Sequence, residues 1–309
     1  MVCIQILSDL HLESPQAYDM FAIPPQAPYL ALLGDIGYAA KHGDMYCAFL
    51  RRQLEIFRVV FLVLGNHEPW HSDWGTARAR MQDFEAKICG ERNTAPEHEA
   101  SIGDVTPLLG EFVLLDQTRY DFPVVTARGA VEERSDKGDR VTVLGCTLFS
   151  RVPQAEQNDI SLGVQDFYKI TDWTVADHTQ RFEDDLAWLN GQVAALDKDE
   201  GGEEKGKRKV IIFTHHCPTL DPRTIDPRHR NSPIQAGFAT ELKDECCFKS
   251  PKISVWAFGH THFNCDLDVQ RGDAESGGAE EACIRLVANQ RGYYSSQATG
   301  FDVGKVIEI

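Results

Sequence analysis

Apolar residues in this chain gather in short runs, and several of the runs stop abruptly on a polar group. Val59 to Leu64 is six apolar residues in succession, ending at Gly65-Asn66-His67-Glu68. A run of that length, closed by a turn signal, predicts a strand buried on both faces. The pattern recurs. Residues 2–7 stop at Ser8-Asp9-Leu10-His11, and Tyr29 to Leu33 stop at Gly34-Asp35. Lys209 to Thr214 stop at His215-His216, and Ile253 to Phe258 at Gly259-His260-Thr261-His262.

Between the runs the period changes to that of a helix. Asp44 is placed to N-cap a helix whose Cys47, Leu50, Leu54 and Phe57 share a face. A second helix is expected from Thr76 to Cys89, with Met81, Phe84 and Ile88 inward and Gly90 as its C-cap. Asp177 and Gln180 form a capping-box pattern ahead of Phe182, Leu186, Leu189, Val193 and Leu196. Phe112–Leu115, Val124–Thr126 and Val141–Leu144 read as short strands with no helix between them, which suggests an antiparallel portion. Cys283–Ala288 and Val303–Ile309 are two more strands. Loops are expected near 91–106, 150–175, 199–209 and 271–281. The expectation is one domain over 1–309, a mixed α/β (α+β) fold with mixed sheets sandwiched between helices.

Composition narrows the class. At 309 residues and 42% hydrophobic, the chain is an ordinary globular one. Its apolar runs are strand-sized, too short for a membrane span. The first residues read as a strand, with no basic start or cleavage site of a secretory leader. Nine cysteines without a C-x-x-C pair point to packed, reduced thiols and a cytoplasmic protein. A formal charge of −16 opposes binding to a nucleic-acid backbone, so a small substrate is the expected partner.

Five strand ends carry groups able to ligate a metal: Asp9 and His11, Asp35, Asn66, His215, then His260 and His262. Strand ends of an open α/β sheet converge on one crevice. Asp9/His11 and His260/His262 are i, i+2 pairs, which in extended backbone point to one side. Any one of these residues would ordinarily be a satisfied polar group, and Asn66 alone an Asx-turn residue. Together they predict a metal site. Imidazole with carboxylate suits Mn, Fe or Zn. Asp35 has two oxygens with which to bridge two divalent ions.

Asp9-x-His11, Gly34-Asp35, Gly65-Asn66-His67-Glu68, His215 and Gly259-His260-x-His262 resemble, in order, the five blocks of the calcineurin-like metallophosphoesterases. The resemblance implies a β-sandwich between helices and a binuclear centre. It would place Asp9, His11 and His262 on one ion, Asn66, His215 and His260 on the other, and Asp35 on both. It implies hydrolysis of phosphate esters by a metal-bridging hydroxide, with Asn66 taking up phosphoryl charge and His67 as general acid. Glu68 could raise the His67 pKa, although neighbouring side chains in a turn often point apart. The Gly-Asn-His-Glu block is similar to that of protein phosphatases. Their arginine-bearing block after Gly-Asp is missing, however, and His215-His216-Cys217-Pro218 with Gly-His-x-His looks like the phosphodiesterase branch. A phosphodiesterase is therefore expected, with a phosphomonoesterase or protein phosphatase as the alternative and a non-catalytic scaffold behind both. Arg291 and His216 are candidate substrate contacts, against the plainer readings of a surface salt bridge and a packed histidine. Trp70, Trp74 and Phe263 would stack on a base or pack at the rim.

Overall fold

The computed structural model describes residues 1–94, 109–125, 131–132, 140–199, 207–271 and 283–309. Most of the loop regions expected near 91–106, 199–209 and 271–281, and Thr126 of the expected strand, lie outside the described residues.

The first half runs β1 (Cys3–Leu7), β2 (Tyr29–Leu33), α1 (Gly43–Leu54), β3 (Val59–Val63), α2 (Trp74–Thr94), β4 (Glu111–Leu114) and β5 (Thr118–Asp121). Then come β6 (Val124–Val125), β7 (Val131–Glu132), β8 (Arg140–Gly145), α3 (Gln157–Gly163), α4 (Asp166–Lys169) and α5 (Val175–Lys198). The rest is β9 (Arg208–Phe213), α6 (Cys246–Lys249), β10 (Ile253–Phe258), β11 (Cys265–Gln270), β12 (Cys283–Ala288), β13 (Gly292–Tyr293), β14 (Ser296–Gln297) and β15 (Val306–Glu308).

Two sheets form a mixed α/β sandwich, ordered β15-β1-β2-β3-β4 and β11-β12-β10-β9-β8-β5. Strand alternation sorts each apolar run between two cores. Along β3, Val59, Phe61 and Val63 face the opposite sheet, where they meet residues such as Phe213 and Val255. Val60 and Leu62 face the other way, into the core that holds Phe49 and Leu50 of α1 and Phe84 of α2. Both faces are covered, which is why these runs are continuous rather than alternating. On the second sheet, Phe182, Leu186 and Leu189 of α5 share that outer core with Ile212 and Trp256.

The antiparallel portion is smaller than the sequence suggests. β4 is parallel to β3 and β8 parallel to β9, leaving β5 against β8 and β6 against β7. The region 150–175 is not one long loop: it holds α3 and α4, two helices too short to show a period. α1 starts one residue before Asp44, which sits in the first turn rather than at the cap. α5 is capped by Thr174, with Asp177 closing the box three residues later rather than starting it. α2 continues through Gly90 to Thr94, because a glycine within a helix costs only about 1 kcal/mol. All nine cysteines are free thiols. None of the described helices is long and apolar enough to cross a membrane.

Candidate metal centre

β1, β2, β3, β9 and β10 are neighbours in the two sheets and release their chains at one edge of the sandwich. The turns beyond them are tightly bent. Asp9, His11, Asp35, His260 and His262 all take left-handed backbone, with φ between 47° and 69°. Such residues cost of order 1–3 kcal/mol each and persist only where the surroundings over-determine them. The i, i+2 pairs therefore converge through these bends, not through extended backbone as the spacing suggests. Two glycines admit the approach. Gly34 has φ +90°, and a side chain there would run into the His215 imidazole. A Cβ on Gly65 would strike the Asp35 carboxylate and lie 2.7 Å from His215 Cε1.

The donor atoms fall into two groups. Asp9, His11 and His262 place ligand atoms within 4.8 Å of one another, as do Asp35, His215 and His260. Asn66 Oδ1 lies 3.0 Å from His215 Nε2 and joins the second group. Asp35 stands between them, Oδ1 3.4 Å from His215 Nε2 and Oδ2 3.9 Å from His11 Nε2. These residues fit two cations. His11 Nε2 and His262 Nε2 face each other at 3.0 Å. His260 Nε2 is buried with no hydrogen-bond partner. Burial, with His215 nearby, holds His260 down to about 3, so it presents a neutral ring and a free lone pair.

Glu13, which the sequence reading missed, organises one side of the centre. Its Oε1 is 3.1 Å from His11 Nδ1 and 2.9 Å from His67 Nδ1. Burial opposes its charge, but hydrogen bonds from His11 and His67 outweigh that and hold it at about 2. An ionised carboxylate only accepts, so both Nδ1 atoms donate to it and both Nε2 atoms are aimed at the centre. Asp166 plays a matching part on the other side. Its Oδ1 accepts from Asn66 Nδ2 at 2.8 Å and from Trp70 Nε1 at 3.0 Å. The first bond turns the Asn66 oxygen toward His215. Asp166 opens α4, inside a region with no readable period, so only the structure exposes it. Glu13, two residues beyond His11, did offer a signal as a third acidic or imidazole group in that turn.

His67 is buried, stacked on Trp70 with ring centroids 3.7 Å apart, and its Nε2 lies 3.3 Å from the Tyr293 hydroxyl. Burial disfavours its charge, yet Asp35 and the Glu13 hydrogen bond raise its pKa to about 9. Glu68 has no part in this. Its carboxylate accepts from the backbone amides of Asp35, Ile36 and Gly65 and from the Tyr46 hydroxyl, tying together the turns after β2 and β3.

The two candidate substrate contacts are placed elsewhere. Arg291 donates to the Leu10 carbonyl at 2.7 Å, its guanidinium over the Phe21 ring. His216 is fully buried, both ring nitrogens unpartnered, 4.2 Å from His260 ring to ring. From the turn carrying Arg291 it is Tyr293 that reaches the cleft, stacking on His11 at 4.2 Å. Trp70 lines the cleft, whereas Trp74 is core, packed on Phe149 and Trp173.

An uncharacterised protein, L509, of Acanthamoeba polyphaga mimivirus is similar to this chain. It is 23% identical over 332 residues, covering 100% of this chain and 97% of its own length. The crystal structure of a phosphopantetheinyl hydrolase (PptH) from Mycobacterium tuberculosis shares the fold, with a TM-score of 0.56 and 15% identity over 94% of this chain and 89% of that one. The family model of the calcineurin-like phosphoesterases matches residues 4–264, a span that takes in all five ligand-bearing strand ends, and the chain belongs to that family.

Proposed function

We propose that this phosphoesterase hydrolyses phosphodiesters in preference to monoesters, with two divalent cations held as above and His67 as the general acid. The bound cations would activate a water and neutralise charge on the phosphoryl oxygens. The protein's own residues do the rest. Asn66, held by Asp166, presents its oxygen to the centre on a fixed heading. His67 keeps one proton on Nδ1 against Glu13 and carries the other on Nε2, facing the cleft beside Tyr293. That second proton is the one a departing alkoxide takes, and such assistance contributes roughly 10²–10⁴-fold.

The diester preference rests on Arg291. A monoester dianion is commonly clamped by a guanidinium fork. Here the Arg291 guanidinium is engaged by the Leu10 carbonyl and an aromatic face. The test is kcat/KM for bis-p-nitrophenyl phosphate against p-nitrophenyl phosphate on Mn-loaded protein. The diester should win by at least tenfold, and a monoester advantage would move the enzyme to the phosphatases. His67→Ala should lower turnover of esters with poor leaving groups by roughly 10²–10⁴-fold while both metals stay bound. Unchanged turnover would remove His67 from the chemistry.

A further inference from the structure

A cavity of about 320 Å³ takes in the donor groups at one end and continues past them. That is at the small end of ligand pockets, which run from roughly 300 to 1,000 Å³. It opens directly off the centre, because Phe238 stacks on the His260 ring at 4.6 Å and forms the next stretch of wall. Trp70, Val164, Ile225, Ile234 and Ala239 supply its other apolar wall, alongside polar residues such as His229 and Gln235. One side therefore comes from the α3–α4 region and the other from the long connection between β9 and α6.

The charges around the cavity matter more than its size. Among the described residues, no lysine or arginine side chain lines it. Three carboxylates do: Asp35 at the centre and, farther out, Asp166 and Asp226, which are both engaged. Asp166 accepts from Asn66 and Trp70, and Asp226 is held by both Arg228 Nε and Arg228 Nη2. Away from His67 and the cations held at the centre, an anion moved in here would lose its water and meet no lysine or arginine. A cation would meet only carboxylates that already have donors. Apolar surface would gain from burial, about fourfold in binding per methylene.

We propose that this cavity seats one ester group of the substrate, and that the group it takes is uncharged and largely apolar, with the phosphoryl the only charged part of the molecule. The proposal rests on the phosphodiesterase reading above and names its substrate class. It excludes nucleoside polyphosphates, multiply phosphorylated sugars and acidic phosphopeptides, each of which brings a further anion.

The experiment uses the Mn-loaded full chain and a series of p-nitrophenyl phosphodiesters whose second group is methyl, butyl, hexyl or 5-carboxypentyl. Release of p-nitrophenol is read throughout. The expected result is a kcat/KM that climbs about fourfold per methylene until the cavity is full. The carboxypentyl ester should fall at least tenfold below hexyl. Two variants are read as ratios within each protein, so that losses of folding or metal cancel. Gln235→Arg, which adds a guanidinium to the lining, should reverse the order of carboxypentyl and hexyl. Ile234→Ala should flatten the chain-length slope. A flat series, or a carboxylate preferred by the unaltered protein, overturns the inference and leaves the phosphodiesterase reading standing. Hydrolysis of p-nitrophenyl phosphate but of no diester overturns the parent reading and this one with it.

Discussion

Two groups of buried titratable side chains lie one behind the other, and their environments act on them in opposite ways. At the strand ends, unlike charges face each other. Burial works against the His215 charge, yet Asp35 and Asp9 raise its pKa to about 10. Glu13 is held at about 2 by two imidazoles despite its burial. Behind them, on α5, burial prevails. It pushes His178 down to about 4 and Asp185 up to about 6. The rear pair has a scaffolding task. Asp185 accepts from the Leu148 amide at 2.8 Å and His178 Nε2 from the Ser150 amide at 3.2 Å. Between those anchors, Leu148 and Phe149 take left-handed backbone, and Thr147 just before them receives the His215 and His216 amides. The paired charges in front face the centre, and the groups behind, shifted by burial toward their neutral forms, set the position of the turn that carries His215. Burial is common to both groups, so what separates them is whether an opposite charge lies within reach.

The contrast can be broken most severely at the front. Asp35→Ala removes the carboxylate that stands between both donor groups. The loss in kcat/KM should be roughly 10³-fold or more, from the several kcal/mol that a metal ion contributes. Metal content by plasma mass spectrometry should fall below two per chain, and full metal content would disprove the bridging role.

The rear group is tested by acid. His178 titrates near 6.5 when unfolded and near 4 when folded. Between those values the unfolded state binds the extra proton, so stability is lost as pH falls through that window. The shift corresponds to about 3 kcal/mol, or roughly 10²-fold in the folding constant. His178→Gln should be the less stable protein at pH 7.5 and should close or reverse the gap by pH 4.5 in urea titrations. Asp185 is common to both proteins and cancels. A gap independent of pH would show that folding leaves the His178 pKa unshifted.

The smallest effect is expected just outside the front group. Asp166→Ala frees the Asn66 amide and the Trp70 indole but removes no metal ligand. Loss of such an outer partner typically costs 10–100-fold in metal affinity or activity. A value near tenfold is expected, appearing as a weaker Mn requirement curve. No change in that curve would make Asp166 a packing residue alone.

The front tier was legible because each ligand closes a run of apolar residues, and the runs name their own strands. Asp35 and Asn66 could be read from Gly34-Asp35 and Gly65-Asn66 without knowing any distance. The helices read well where they are long. The period of Phe182 to Leu196 marked the face of α5, although the cap had to be found one turn earlier, at Thr174. What was not legible depends on contacts between distant segments. Glu13 reaches His67 across 54 positions, and Asp166 reaches Asn66 across 100. α3 and α4 span seven and four residues, fewer than a repeat needs to reveal itself. The turn bearing Arg291 was noticed, but Gly292 swings the chain at φ +77°, and it is Tyr293 that the bend delivers to the cleft.

The Glu68 carboxylate accepts from the amides of Asp35, Ile36 and Gly65, none of which lies within a strand or helix. Loop amides ordinarily trade their protons with solvent through openings that cost almost nothing. These three can do so only when Glu68 lets go, and letting go exposes a carboxylate that also holds Tyr46 of α1. The three amide protons should therefore persist in heavy water on the timescale of the strands rather than of the turns. The edge of the sandwich that carries the ligands then opens as one unit with β2, β3 and α1, so its local stability is inherited from the body of the sheet.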